Sequence, residues 1–357
     1  MRSSPKIPSD AKPSRADTNE RRRLQMADIA RLAGVSVSTV SRALNGSPLV
    51  NDETKERVAT LARSLNYSIN LGAKNLRLQR NQTIAVVIPY DAASRQHISD
   101  PFFLAMLGSL ADALTDRGYD MLVSRVDAES LGSAAQPYDS GVAVGIVLIG
   151  QWRHHDQLNA LAARKVPLVV WGAQLPQQLY CSVGGDNVLG GRLATEHLLA
   201  LGRRRIAFLG DPQLPEVAHR LKGYRQALRA RKLPELVELE LPVPFDVASA
   251  RAAIEGLLAR GVAFDAVLGC SDLLAIAAMQ VLREHGKRVP QDVAVVGYDD
   301  MPLAAYCDPP LSSVNQPVGQ AGIELVDALL ALLQHQSVAP RTLAVSLSVR
   351  RSSHSTA

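Results

Sequence analysis

Between Thr83 and Asp299 the chain returns repeatedly to one short pattern: a run of apolar, mostly β-branched residues closed by Gly, Pro, Ser or Asp. "TIAVVIP", "YDMLVS", "GIVLIG", "VPLVVWG", "RRIAFLG", "AVLGC" and "VAVVGYD" are its instances. Runs without polar alternation suit strands buried on both faces, the condition of a parallel sheet. Parallel neighbours need a crossover, and helix-patterned segments such as Phe103 to about Arg117 fill the intervals. This alternation predicts a doubly wound α/β architecture, and the number of strands requires two such sheets.

Open α/β sheets bind ligands beyond the carboxyl ends of their strands. The residues that follow the runs are therefore candidates. Asp100, Phe102 and Phe103 lie in "SDPFF" after the first strand, Trp171 ends "VPLVVW", and Asp186 follows "CSVGG". Phe245 is read as ending a further strand, Arg220 lies in "RLKGY", Ser271 follows "AVLGC" and Asp299 follows "VAVVG". Asp and Arg bind vicinal hydroxyls through paired hydrogen bonds, and Trp and Phe cover the C–H face of a pyranose. The set favours a polyol, with a nucleobase as the competing use of the aromatics. Phe103 and Trp171 could equally serve as core aromatics. Tyr298 reads as packing and Asp300 as a cap.

The first eighty residues differ from this body. They carry fifteen Lys/Arg against seven Asp/Glu, a net +8, while the rest of the chain is at −3. A basic unit on a near-neutral body points to a polyanion partner, most simply nucleic acid. After a polar tail over 1–23, three helices are predicted. The first runs from Met26 to Ala33 and ends at Gly34. The second runs from the N-cap Ser36 to about Leu44, and the third from the N-cap Asn51, with Val58, Leu61, Ala62 and Leu65 on one face. On a helix, Val40, Ala43 and Leu44 of the second segment share one side, and Val37, Ser38, Ser41 and Arg42 the other. Small side chains beside one guanidinium are what a major groove admits, with Arg42 able to read a guanine. Two helices across the turn at Gly34 make a helix-turn-helix.

"MADIARLAGVSVSTVSRALNGSPLVNDETKERVATLARSLNYSIN" resembles the DNA-binding headpiece of the LacI/GalR (lactose-repressor) family, and the resemblance runs from about Gln25 to Arg351. It implies base reading by Val37, Ser38 and Arg42. It implies phosphate contact or capping by Ser36, Thr39, Ser41, Asn45, Asn51 and Thr54. It also implies a hinge helix that forms on DNA, with Asn70, Ala73 and Lys74 around a minor-groove wedge at Leu76. Ile69 stands where the family often has proline, and Gly72 weakens the helix. For the body, the resemblance implies two lobes like those of periplasmic sugar-binding proteins, joined by three crossings near Ala200, Val314 and Leu343. Asp100 replaces the family's usual Asn, and the segment "YDAASRQHI", with His97, is longer than the family's.

Catalysis finds no motif. There is no GxGxxG opening a helix after the first strand, no phosphate-loop GxxxxGK[ST] and no GxSxG. His154 and His155 are adjacent and share no helical face, and Cys181, Cys270 and Cys307 form no CxxC pair. No metal or cofactor is expected. With no membrane-length apolar run and no secretory leader, a cytoplasmic location is expected.

The organisation expected is a tail over 1–23, a helix-turn-helix domain over 24–69 and a hinge over 70–80. The first lobe is expected from 82–199 with 315–343, the second from 200–314 with 344–351, and a tail over 352–357. The expected function is a homodimeric repressor of carbohydrate-utilisation genes, bound to a pseudo-palindromic double-stranded operator. A mono- or disaccharide, with an α-glucoside favoured, would bind between the lobes and change their angle. Two alternatives stand beside it: a purine- or nucleoside-responsive regulator of the same fold, and a sugar-binding protein without specific DNA binding.

Overall fold

The computed structural model describes residues 25–44, 47–65, 81–91 and 97–354, in two compact units divided at Arg80. The predicted tail over 1–23, and the hinge segment over 70–80, lie outside the described residues.

The N-terminal unit is α1 (Met26–Ala33), α2 (Val37–Leu44) and α3 (Asp52–Ser64). Each boundary has a local cause. The Gln25 N–H donates to Asp28 Oδ2 at 2.9 Å, opening α1. Gly34 closes it at φ +66°, a left-handed conformation that costs glycine nothing. That tight turn brings Ser36 to the head of α2, where its Oγ accepts the Thr39 N–H at 3.1 Å. Asn51 Oδ1 does the same for α3 with the Thr54 N–H at 2.9 Å. Ile29, Ala30 and Ala33 of α1 meet Val40 and Ala43 of α2 and Val58 of α3 in one small core.

The second unit holds two six-stranded sheets. The first lobe takes β1 (Thr83–Tyr90), β2 (Asp120–Asp127), β3 (Gly145–Ile149), β4 (Leu168–Trp171), β5 (Cys181–Gly185) and β11 (Arg341–Leu343) in the order β11-β5-β4-β3-β1-β2, all parallel. α4 (Pro101–Thr115), α5 (Gln136–Asp139), α6 (His155–Ala163) and α12 (Val318–Leu333) accompany it. The second lobe takes β6 (Ile206–Leu209), β7 (Glu240–Leu241), β8 (Ala266–Gly269), β9 (Ala294–Asp299), β10 (Ser312–Asn315) and β12 (Ser346–Ser348). Their order is β12-β10-β9-β8-β6-β7, with only β12 antiparallel. α7 (Asn187–Ala200), α8 (Pro215–Ala230), α9 (Val247–Ala259), α10 (Asp272–Glu284) and α11 (Pro302–Tyr306) belong here. β1 and β3 are buried almost throughout, as continuous apolar runs require.

The chain passes between the lobes three times, and the first passage differs from the sequence expectation. It falls at Asp186, directly after β5, and not near Ala200. The reason is the apolar face of α7: Ala194, Leu198 and Leu199 sit in one core with Tyr224 and Leu228 of α8. α7 and α8 approach so closely that a Cβ on Gly191 would lie 2.0 Å from the Arg220 carbonyl oxygen, and one on Gly223 equally near the Val188 oxygen. Residues 187–199 therefore belong to the second lobe. The second passage follows β10 at Gln316–Pro317, and the third runs from Leu343 to Ser346. The expected tail from Ser352 is also corrected. Ser352 and Ser353 are buried; the Ser352 carbonyl accepts the Val295 N–H at 2.8 Å, and its Oγ accepts the Ser312 N–H at 2.8 Å. They complete the second lobe.

Candidate functional site

In the N-terminal unit, α2 divides as helical geometry dictates. Val40 and Ala43 are buried, while Val37, Ser38 and Arg42 are exposed together. Ser36 Oγ lies 2.8 Å from both Ser38 Oγ and Thr39 Oγ1, so the cap also fixes the hydroxyls at the start of the helix. Arg42 is exposed, and its guanidinium makes no ion pair or hydrogen bond with any described residue, which leaves its donors available to a partner. Ser41 is half-buried, and Asn51 and Thr54 are joined in the cap of α3. Asn45, Asn70, Ala73, Lys74 and Leu76 lie outside the described residues.

In the second unit a cleft with about 680 Å³ of open space lies between the lobes at the carboxyl ends of their strands. The first lobe contributes Asp100, Phe102 and Phe103 from the start of α4, Gln151 and Trp152 after β3, and Trp171 from β4. The second contributes Leu214, Glu216 and Arg220, then Phe245, Ser271 and Asp299, and Gln316 sits on the second crossing. Eight of the nine sequence candidates are thus gathered. Asp186 is not among them: it caps α7, its Oδ1 accepting the Leu189 N–H at 2.9 Å. Phe245 reaches the cleft from the loop before α9, because the strand expected there is only Glu240–Leu241. His97 is exposed and lines no part of the cleft.

Phe102, Phe103 and Trp171 form an aromatic wall, with ring centroids 5.9 Å apart for the phenylalanines and 6.2 Å for Phe102 and Trp171. Phe103 and Trp171 also belong to the first-lobe core, so the two readings of these rings are both realised. The facing polar group is Arg220, buried and held on three sides. Its Nε donates to Asn187 Oδ1 at 2.8 Å, a terminal amine donates to the Cys270 carbonyl, and the guanidinium lies 3.8 Å from the Tyr298 ring centroid. The tight α7–α8 approach puts Arg220 beside Asn187. Tyr298 is therefore a packing residue with a further use, as the platform for that cation.

Asp299 ends β9 at φ +105° and Asp300 follows at φ +52°, a left-handed pair of non-glycine residues that its surroundings must hold. Asp300 is held by Asn315 at 3.1 Å, Ser348 at 2.6 Å and Arg350 at 2.7 Å. This leaves Asp299 turned into the cleft, where Gln316 Nε2 donates to its Oδ1 at 2.7 Å. Gln316 Oε1 is buried with no hydrogen-bond partner, an acceptor waiting for a donor. Burial raises the carboxyls of Asp100, Glu216 and Asp299 above the usual range, with Arg220 opposing the shift at Glu216 and Asp299.

Of the lining residues that the sequence reading did not name, four carry polar side-chain groups: Gln151, Trp152, Glu216 and Gln316. Gln151 and Trp152 follow the strand "GIVLIG" directly, so the strand-end rule would have found them. Gln151 is fixed through Ala173 and the Tyr180 hydroxyl, and Trp152, at φ +48°, touches the cores of both lobes. The same loop carries Arg153, whose NH2 pairs with Asp211 Oδ2 of the other lobe at 2.6 Å. Glu216 lies one helical turn before Arg220 on the same face. Gln316 follows β10, whose polar sequence "SSVN" gave no strand signal.

A helix-turn-helix unit with an exposed arginine-bearing second helix, in one chain with a two-lobed body around a polar and aromatic cleft, defines a ligand-responsive DNA-binding regulator. Comparison with known proteins agrees. Residues 25–70 match the bacterial regulatory proteins of the lacI family, and residues 195–353 match a periplasmic binding protein-like domain. The transcriptional regulator CelR of Thermobifida fusca is 36% identical over 329 residues, covering 90% of this chain and 95% of its own. The ribose operon repressor of Haemophilus influenzae is 32% identical over 322 residues, covering 89% and 94%. Among solved structures, the lac repressor dimer bound to operator and an anti-inducer superposes with a TM-score of 0.80 at 27% identity, over 94% of this chain and all of that one. A CelR–cellobiose complex gives 0.67 at 34%, over 92% and all. The chain belongs to the lacI family: it is a DNA-binding transcriptional regulator and not an enzyme.

Proposed function

We propose that this regulator is a cytoplasmic homodimeric repressor of carbohydrate-utilisation genes. Each headpiece reads one half-site of a pseudo-palindromic operator through Val37, Ser38 and Arg42, with Ser36, Thr39, Ser41, Asn45, Asn51 and Thr54 at phosphates or in caps. The segment around Leu76, with Asn70, Ala73 and Lys74, enters the central minor groove. A small sugar in the interlobe cleft changes the relation of the lobes and so the affinity for operator. The observation that carries the sugar reading is the lining itself. An aromatic wall lies across from buried Asp299, half-buried Asp100 and Glu216, Arg220 and the unpartnered Gln316 acceptor, which together suit a ring with apolar faces and a hydroxyl edge.

The similarity to a regulator solved with cellobiose makes a β-linked glucose disaccharide the first ligand to test, with maltose as its α-linked counterpart. The test selects operator sequences from random DNA with the purified full chain, then titrates cellobiose, maltose, ribose and hypoxanthine into the complex. One sugar should shift operator affinity, and hypoxanthine should not. A response to hypoxanthine alone moves the reading to a purine regulator. Arg42→Ala should lower selected-operator affinity by roughly 10- to 100-fold, the worth of one bidentate base contact. Equal binding of all DNA by wild type and variant would show that α2 reads no bases.

A further inference from the structure

The charges of the cleft are lopsided. Its ionisable lining is Asp100, Glu216 and Asp299 against Arg220. Arg220 is fixed by Asn187, Cys270 and the Tyr298 ring, so it cannot swing out to meet a ligand. Glu216 sits four residues before it on α8 and has no ion pair among the described residues. The only lining amide acceptor without a partner, Gln316 Oε1, is 3% exposed and calls for a hydroxyl or N–H donor. The carboxylates and Gln316 Oε1 therefore ask for donors, while Arg220, the amide N–H groups, the Trp152 and Trp171 indoles and the Ser271 hydroxyl can supply them.

We propose that the cleft selects uncharged polyols against their anionic derivatives, and that Glu216 is the residue that sets this selection. The proposal rests on the sugar reading of the cleft and adds to it a charge class. A uronate carboxylate or a sugar phosphate seated near Arg220 is also seated near Glu216 and Asp299. Two like charges about 6 Å apart at an effective dielectric of about 20 weaken binding on the order of 100-fold. A neutral hydroxyl in the same place donates to Glu216 and gains a charge-assisted hydrogen bond. Burial raises the Glu216 carboxyl, with backbone N–H groups and Arg220 opposing the shift, so the selection against anions should strengthen as rising pH ionises it.

The test uses the full chain and calorimetric titration with matched ligands: cellobiose and maltose, each beside its 6′-phosphate and the disaccharide whose terminal C6 is a carboxylate. Wild type should bind the neutral member at least about 30-fold more tightly than either anion. Glu216→Gln keeps the size and an acceptor oxygen but not the charge, so it should weaken neutral binding several-fold and shrink that ratio roughly tenfold or more. Thermal unfolding of the variant checks its fold, and Glu216→Ala gives a second reading of the ratio if the glutamine variant fails to fold. Equal binding of neutral and anionic sugars by wild type, or a ratio unchanged in both variants, overturns the proposal and leaves the sugar reading intact. No binding of any of these sugars, with binding of hypoxanthine, overturns the sugar reading itself and the proposal with it.

Discussion

Arg220→Met tests whether the cleft arginine is held in place by its surroundings as strongly as the geometry requires. Methionine keeps most of the volume, so the loss is that of polar contacts and not of packing. The Cys270 carbonyl and Asn187 Oδ1 each lose a buried donor, worth about 1–3 kcal/mol. The Tyr298 face loses its cation, worth up to about 2 kcal/mol. Gains from burying the thioether offset part of this, leaving about 3–5 kcal/mol of lost stability at pH 8. The pH dependence is the sharper part. Burial raises the Asp299 carboxyl, and Arg220 is the group that most opposes the shift. Without it, native Asp299 holds its proton to still higher pH, while the unfolded chain releases it near pH 4. An acid raised in the folded state costs stability as pH rises. The variant's deficit should therefore grow as pH rises through the range where wild-type Asp299 releases its native proton. Urea unfolding followed by tryptophan fluorescence is a direct assay, since the two tryptophans of the chain, Trp152 and Trp171, both line the cleft. A deficit under about 1 kcal/mol, or one that shrinks with rising pH, would refute the reasoning.

Gly191→Ala should destabilise the second lobe by about 3 kcal/mol, seen in the same unfolding assay, because its Cβ meets backbone and not a movable side chain. Arg153→Ala removes the ion pair to Asp211 that joins the lobes. With Arg153 about two-fifths exposed, its stability cost should stay under about 1 kcal/mol, and stopped-flow fluorescence should instead show faster sugar entry and exit. Asp272, buried among Ser313, Met301 and Asp300, is raised to about 7, chiefly by burial. Asp272→Asn should lose stability through its hydrogen bonds, and the deficit should narrow between about pH 4 and pH 7, where unfolded wild type has released the proton that native Asp272 still holds, a change of up to about 4 kcal/mol measured across that range.

The parts of this molecule legible in its sequence are those set by local physics. The headpiece helices follow from Gly34, Ser36 and Asn51, each of which acts within three residues of itself. The buried strands follow from runs such as "TIAVVIP", whose apolarity needs no partner to be recognised. What escaped depends on distant residues. β10 is polar in sequence, and its Ser312 is buried because Ser352 and Ser353, some forty residues on, satisfy it. The lobe to which α7 belongs is decided by its fit against α8, and no pattern in α7 alone says so. In the cleft, the residues after recognised strands were found, whereas Gln316 was hidden behind an unrecognised one. Asp186 caps α7 and lies outside the cleft lining, and in one dimension a helix cap and a ligand-binding carboxylate look alike.

The threefold passage between lobes also governs how the molecule can be made. While the chain is being synthesised, the headpiece can close as soon as Leu65 is available, for all its described contacts are near neighbours. Neither lobe has that freedom. The first sheet waits for α12 and β11, and the second for β12 and the serines at 352 and 353. A nascent chain of three hundred residues therefore presents two unfinished sheets, each with an edge open to solvent, and both close within the last few tens of residues. Removing everything after Gln336 would take an edge strand from both lobes in a single cut.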